Sequence, residues 1–266
     1  MSNIFIAPLI WLVASLALTA ADFATDMQDA TFKLFNVDST ATCFFVRGEA
    51  TDTALYLVTA AHVLERAKGD TDIVVLRQLK DDGSFARLDH TIPIRRDGKP
   101  LWVRHEKQDV AVLRCADPFP LVVPALPASA LIDTARLKAL GVHICSPFFV
   151  LTYPQRFEAN QAGFPVARQG IIASPPLLPL QTSPTFLGDF TTFAGDSGGP
   201  VFMPGADGKP KLIGIVLAQS YHDESVKTDY EERTLHYPLG IGTILHAQFV
   251  CDTLELAVKG SAPATK

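Results

Sequence analysis

The apolar residues of this chain fall in short runs, at 55–58, 73–76, 110–113, 148–151, 200–202, 212–217 and 240–244. Runs of that length, rich in Val, Ile, Leu and Phe, read as strands buried on at least one face. Three dipeptides sit between such runs: Asp82-Gly83, Asp97-Gly98 and Asp207-Gly208. Asp-Gly readily takes the positive φ angles of a tight hairpin turn, so the strands flanking each are expected to pair antiparallel. Helical spacing stands out at the end, where Ala247, Val250, Leu254, Ala257 and Val258 share one face. That face reads as packing. The charged stretches Lys80-Asp81-Asp82 and 229–233 read as solvated loops. Many short strands and few helical periods predict an all-β protein built from barrels.

Residues 195–200 read Gly-Asp-Ser-Gly-Gly-Pro and carry the candidate chemistry. They offer Ser197 as a nucleophile, with the backbone N–H groups of Gly195 and Ser197 as donors to a developing oxyanion. Gly195, lacking a Cβ, takes the required backbone geometry with little strain. The string also fits Gly-x-Ser-x-Gly, in which a serine caps a strand-to-helix turn and the acid and histidine follow it. Here Ser197 is followed by two glycines, Pro200 and the apolar Val201, Phe202 and Met203, which reads as a turn into a strand. None of His222, His236 and His246 downstream lies in a setting that singles it out. The order His, Asp, Ser has better candidates. His62 follows the apolar run at 54–58 and the sequence Thr59-Ala60-Ala61, where a strand ends and a short helical turn begins. Asp109 heads another apolar run, and a carboxylate at a strand mouth is poorly solvated unless its charge is used.

These three segments resemble the histidine, aspartate and serine motifs of the trypsin/chymotrypsin superfamily of serine proteases, in its bacterial trypsin-like form. Softer matches at 42–46, 149–154, 166–172 and 213–216 resemble other strands of that family. The resemblance implies two antiparallel β-barrels packed face to face and a C-terminal helix. It assigns 22–117 to the first barrel, 118–130 to a crossing rich in Pro118, Pro120, Pro124 and Pro127, and 131–266 to the second barrel and terminal helix. It also implies a serine endopeptidase acting through an acyl-enzyme. The physical case agrees: a serine hydroxyl needs an adjacent base, and an imidazole, with an unperturbed pKa near 6.5, is suited to that task. Asp109 would fix the imidazole tautomer and stabilise the imidazolium. The alternative is a catalytically inactive protease-fold protein that binds peptides or a partner. By the same resemblance the substrate pocket has its floor at Thr191 and walls near Leu217, Ala218, Gln219 and Gly240, none of them charged, which predicts a small or medium uncharged side chain next to the cleaved bond. The strand at 212–217 is expected to pair main chain to main chain with the substrate. In zymogen-activated members the acid before the serine pairs with a new N-terminus; Asp22-Phe23 does not resemble that apolar start, so Asp196 is expected to bond to backbone or a nearby cation.

Composition narrows the function classes. At 48 % apolar residues the chain has enough for two cores, and a net charge of −5 with no basic tail gives no nucleic-acid footprint. There is no P-loop and no zinc-type Cys/His spacing, so no cofactor or metal is expected. The partner expected is a peptide or protein substrate. Residues 1–21 read as a signal peptide, with an apolar stretch at 4–18 and small residues before a cleavage after Ala21, although no Lys or Arg precedes the stretch. Export, secreted or periplasmic, follows; a retained membrane anchor is the alternative. Cys43, Cys115, Cys145 and Cys251 would allow up to two disulfides, while Cys43 and Cys115 lie in apolar runs that suit buried thiols.

Overall fold

Strand-forming sequence and tight turns pair the first half of the chain into one sheet. The structure is a computed structural model that describes residues 23–48, 54–175, 177–228 and 230–261; the expected signal segment lies outside them. Helix α1 (Phe23–Ala30) leads into β1 (Thr31–Phe35), β2 (Thr40–Arg47) and β3 (Leu55–Thr59), and α2 (Ala61–Arg66) follows. Next come β4 (Thr71–Leu79), β5 (Phe85–Pro93), the small hairpin β6 (Arg95–Arg96) and β7 (Lys99–Pro100), then β8 (Trp102–Arg104) and β9 (Ala111–Cys115). The sheet order is β5-β4-β1-β2-β3-β9-β8, every pair antiparallel. Asp82-Gly83 turns β4 into β5, and Asp97 and Gly98, with φ of 52° and 71°, turn β6 into β7, as their sequence predicts.

The segment that leaves this sheet contains β10 (Leu126–Pro127), which pairs in parallel with the end of β2. After α3 (Thr134–Ala139), the chain forms β11 (Pro147–Thr152), β12 (Val166–Ile172), β13 (Thr185–Asp189), β14 (Pro200–Pro204), β15 (Pro210–Lys227) and β16 (Glu232–His246). These close into a barrel in the order β11-β12-β13-β16-β15-β14. Phe148 fills its centre, and Gly170 and Gly188 make room for the ring: a Cβ on either would lie 2.8 Å or 2.6 Å from it. Helix α4 (Ala247–Ser261) then runs back across both halves. The fold is therefore the two-barrel all-β arrangement with a terminal helix; hydrogen bonding closes the second barrel fully, while the first is a coiled sheet with β5 and β8 at its ends.

β2 explains how the halves hold together. Six consecutive residues of it are buried. Cys43 and Phe45 point into the first half's own core with Phe32 and Leu57, whereas Phe44 and Val46 join a second cluster shared with Leu151, Phe202 and Ile215 of the barrel and Val250 of α4. Burying a Phe or Val side chain contributes about 1.5–3 kcal/mol, so this shared cluster, not the linking segment, fixes how the halves dock. A polar clamp lies at its margin: Glu158 accepts from Lys33 at 2.5 Å and from Arg87 at 2.7 Å. Burial works to raise the Glu158 pKa, but hydrogen bonds from the two cations outweigh it and hold the carboxyl below its ordinary range.

Two features depart from the sequence pattern. β15 and β16 run well past the apolar runs at 212–217 and 240–244, and residues 232 and 233, read as loop, belong to β16. The outer parts of both strands are exposed on each face, so no buried side marks them with an apolar pattern. The cysteines form no disulfide. Burial raises the Cys43 thiol well above its usual value and pushes those of Cys115 and Cys251 up to about 12.

Candidate active site

The first part of the site is a helix start that lacks a cap of its own. β3 stops at Thr59, and Ala60, extended at φ −66° and ψ 140°, precedes α2 without any side-chain cap. The carboxylate of Asp109 supplies one from the turn that leads into β9. Its Oδ1 accepts the backbone N–H of His62 at 2.9 Å, and its Oδ2 lies 2.6 Å from His62 Nδ1. This double grip fixes both the imidazole orientation and its tautomer: with Nδ1 donating to the carboxylate, Nε2 is left to accept a proton. Burial works to raise the Asp109 pKa, but hydrogen bonds from the ring and backbone of His62 prevail, so the carboxyl stays ionised below its ordinary range. The turn before Asp109 is pinned by His105, whose Nδ1 accepts from the N–H groups of Lys107 and Gln108, each at 3.1 Å.

The second part is the loop at 193–199. Pro200 starts β14, so Ser197 precedes a strand and not a helix, as the residues after it predict. Two glycines bring this loop against the rest of the molecule. Gly195 has φ +101°, and a Cβ there would lie 2.2 Å from Tyr153 O; a Cβ on Gly198 would lie 2.1 Å from Thr59 Oγ1 and 2.9 Å from Ala60 N. The second approach sets Ser197 beside the strand end that carries His62. Thr42 ties the loop from the other side: its N–H donates to Ser197 O at 3.0 Å and its Oγ1 to Gly195 O at 2.8 Å. Ser197 Oγ donates to Leu217 O at 3.1 Å, and no hydrogen bond joins it to His62. Asp196 N donates to Phe193 O and Gly198 N to Val216 O, whereas the N–H groups of Gly195 and Ser197 have no acceptor within the described residues.

Beneath the loop lies a buried ion pair. Asp196, 1 % exposed, takes Arg168 Nη2 at 2.8 Å on its Oδ2, which also accepts the N–H of Phe193 at 2.8 Å. Arg168 additionally donates to Thr191 O at 2.5 Å and to Thr152 Oγ1. Asp196 therefore has both the backbone and the cation expected for it, and the cation is internal. A sequence reading places Arg168 on a strand but cannot pair it with Asp196, because only the closing of the barrel sets β12 under this loop.

The expected pocket residues divide. Leu217, Ala218 and Gln219 lie along β15, and the bulge between Val216 and Ala218 turns the Leu217 carbonyl out of the ladder toward Ser197. Thr191 is held through its carbonyl by Arg168. Its neighbours Phe190 and Thr192 pack onto Gly242, where a Cβ would be 2.6 Å from each side chain. Gly242 pairs with Gln219. Gly240 sits farther out, with φ +71° and open space where its Cβ would stand. Gly242 is thus the close-approach glycine, and no local turn signal distinguishes it in sequence from Gly240. Among the described residues no group of His, Cys, Asp and Glu is placed to hold a metal, and no helix is long and apolar enough to cross a membrane.

A family described as a trypsin-like peptidase domain matches residues 41–215, a span that contains His62, Asp109 and Ser197. No curated protein matches the chain. Among solved structures, the crystal structure of Rv3671c from M. tuberculosis H37Rv, an inactive serine-to-alanine mutant form, is 18 % identical; the match covers 94 % of this chain and 96 % of that chain, with a TM-score of 0.48.

Proposed function

The chain belongs to the trypsin-like peptidase domain family, and from that premise we propose that it is a serine endopeptidase with Ser197 as nucleophile, His62 as general base and Asp109 as the orienting acid. The observation that carries this reading is the pair of N–H groups at Gly195 and Ser197 left without an acceptor beside a hydroxyl. Donors that the protein itself leaves unpaired beside a nucleophilic hydroxyl are free to bind a substrate oxygen.

The steps follow from that arrangement. Ser197 Oγ leaves the Leu217 carbonyl, passes its proton to His62 Nε2 and bonds to the carbonyl carbon of the scissile peptide. The oxygen of the tetrahedral adduct, now negative, accepts from the Gly195 and Ser197 amides; losing one such donor typically costs about 2.7–4 kcal/mol. Asp109, already ionised, balances the imidazolium charge. His62 then gives the proton to the leaving nitrogen, the C–N bond breaks, and an acyl-enzyme remains. Water attacks that ester, losing its proton to His62, and the acid product leaves as the proton returns to Ser197. No metal or cofactor takes part.

The substrate's unprimed residues are taken to pair antiparallel with β15 at Leu217, Ala218 and Gln219. Phe190 and Thr192, packed on Gly242, narrow the space beside them, which supports a small or medium uncharged side chain at the cleaved bond. Arg168, holding Asp196 from within, supports activity without proteolytic processing. The apolar stretch at 4–18 supports export across a membrane, to the periplasm or beyond, or retention there as an anchor.

A fluorophosphonate probe tests the assignment. The native protein should be labelled at Ser197, and Ser197→Ala should not be labelled at all. Equal labelling of the two would remove Ser197 from its role, and an unlabelled native protein would favour the inactive peptide-binding reading.

A further inference from the structure

β15 and β16 leave the barrel together and continue as a free-standing ribbon. Residues 221–227 pair with 232–238 and with no other strand among the described residues. The ribbon's described residues are exposed on both faces. A two-stranded ribbon without a core is marginal in water, and each unpaired edge presents N–H and C=O groups to any strand that comes alongside. The two edges differ. That of β16 is interrupted by Pro238, which has no N–H to give, whereas β15 has no proline from Lys211 to Lys227.

The open edge of β15 is continuous with the candidate active site. It begins at Leu217, whose carbonyl accepts from Ser197 Oγ, and it runs outward without a covering strand. Tyr221, 48 % exposed, lies just beyond Gln219. Farther along, the ribbon's charges pair across and along it: Asp223 with His236, Lys227 with Glu232, and Arg233 with Glu231. Glu224 makes no ion pair among the described residues, and Val226 is its next neighbour on the same face. Among the described residues of 221–239, the acidic Asp223, Glu224, Glu231 and Glu232 outnumber the basic Lys227 and Arg233, so the ribbon is net acidic.

We propose that this ribbon is a docking rail for the stretch of substrate chain that precedes the scissile bond, which adds to the β15 edge as a further strand. The proposal rests on the peptidase reading above. It extends substrate contact from the three residues beside Ser197 to a rail that reaches Glu224, about 23 Å along the strand at 3.3 Å per residue. The chemistry selected is an extended, uncapped chain with an apolar side chain opposite Tyr221 and Lys or Arg opposite Glu224.

Peptidyl diphenyl phosphonates with Ala at the reacting position provide the test, since they trap the nucleophile and need no known substrate. Probes carry three, six or nine residues before the phosphorus, the longest in two versions with Lys or Glu at the position that falls opposite Glu224. In the native protein the nine-residue Lys probe should react with Ser197 at least about tenfold faster than the three-residue probe. Replacing residues 221–238 by Asn-Gly should abolish that gain and leave the three-residue rate unchanged. Glu224→Lys, an exposed change that leaves the fold intact, should reverse the preference between Lys and Glu. Native rates that ignore probe length overturn the proposal. So does a length gain that survives loss of the ribbon, or a dimer that dissociates on its removal while the length dependence stays, which would make a second copy the occupant. If the shortened protein reacts with no probe, Glu224→Lys decides, and an unchanged preference overturns it. A native protein in which Ser197 reacts with none of the probes refutes the peptidase reading itself, an outcome distinct from all of these.

Discussion

Arg168 and Asp196 are the residues whose roles depend most on one another. The Asp196 carboxylate is buried next to the two N–H groups proposed to bind the oxyanion, and Arg168 is its counter-charge. Removing one partner of a buried pair leaves an uncompensated charge and typically costs about 3–5 kcal/mol. Arg168→Met should therefore destabilise the fold and, in molecules that remain folded, lower kcat far more than it raises KM, because the misplaced amides act on the transition state. Arg168→Lys should recover part of the loss. Steady-state kinetics on folded protein distinguish this from a purely structural role, which would reduce the active fraction and leave kcat per active site unchanged. His62, Asp109 and Ser197 could be picked as candidates from sequence because each sits in a local context: a strand end, a strand mouth, a glycine-rich turn. Arg168 and Gly242 could not, since their importance comes from atoms that only the closed barrel brings near.

At the scale of elements, apolar runs mark strands wherever a strand buries a face. β3, β9, β11 and β14 follow that rule, and so does α4, although Val258 is 37 % exposed and turns away from the packed face. The outer ribbon breaks the rule because backbone pairing alone forms it. The junction between β16 and α4 holds another feature without a sequence signal. His246 is 2 % exposed, packs on the Phe186 ring at 4.8 Å, and its Nε2 has no hydrogen-bond partner among the described residues. Desolvation lowers its pKa from 6.5 to about 4. Between those values the unfolded chain binds a proton that the folded chain refuses, so stability falls as pH drops from about 6.5 to about 4, by about 3 kcal/mol in all. His246→Phe should remove that part of the acid sensitivity. Denaturant midpoints at pH 7 and pH 4.5 would show it; an equal drop in both proteins would place the sensitivity elsewhere.

Over the whole molecule, the candidate site is brought together only because two halves dock. His62 and Asp109 come from the first half, on α2 and the turn before β9, Ser197 and its amides from the barrel half, and the shared cluster around Phe44 and Phe202 holds the two in register. The Glu158 clamp and the Thr42 hydrogen bonds add polar contacts across the same boundary. The all-β class was legible from the short strands, but the docking was not, because alternation along a strand does not say which partner covers its second face. The central claim is that the docked halves make one nucleophile-and-base unit. Rapid mixing with p-nitrophenyl acetate measures it most directly, since acylation and deacylation separate in time. The native protein should release a burst of nitrophenolate equal to one per chain, followed by slower turnover, and both His62→Ala and Ser197→Ala should abolish the burst. A burst that survives either substitution, or none from the native protein, would contradict the account.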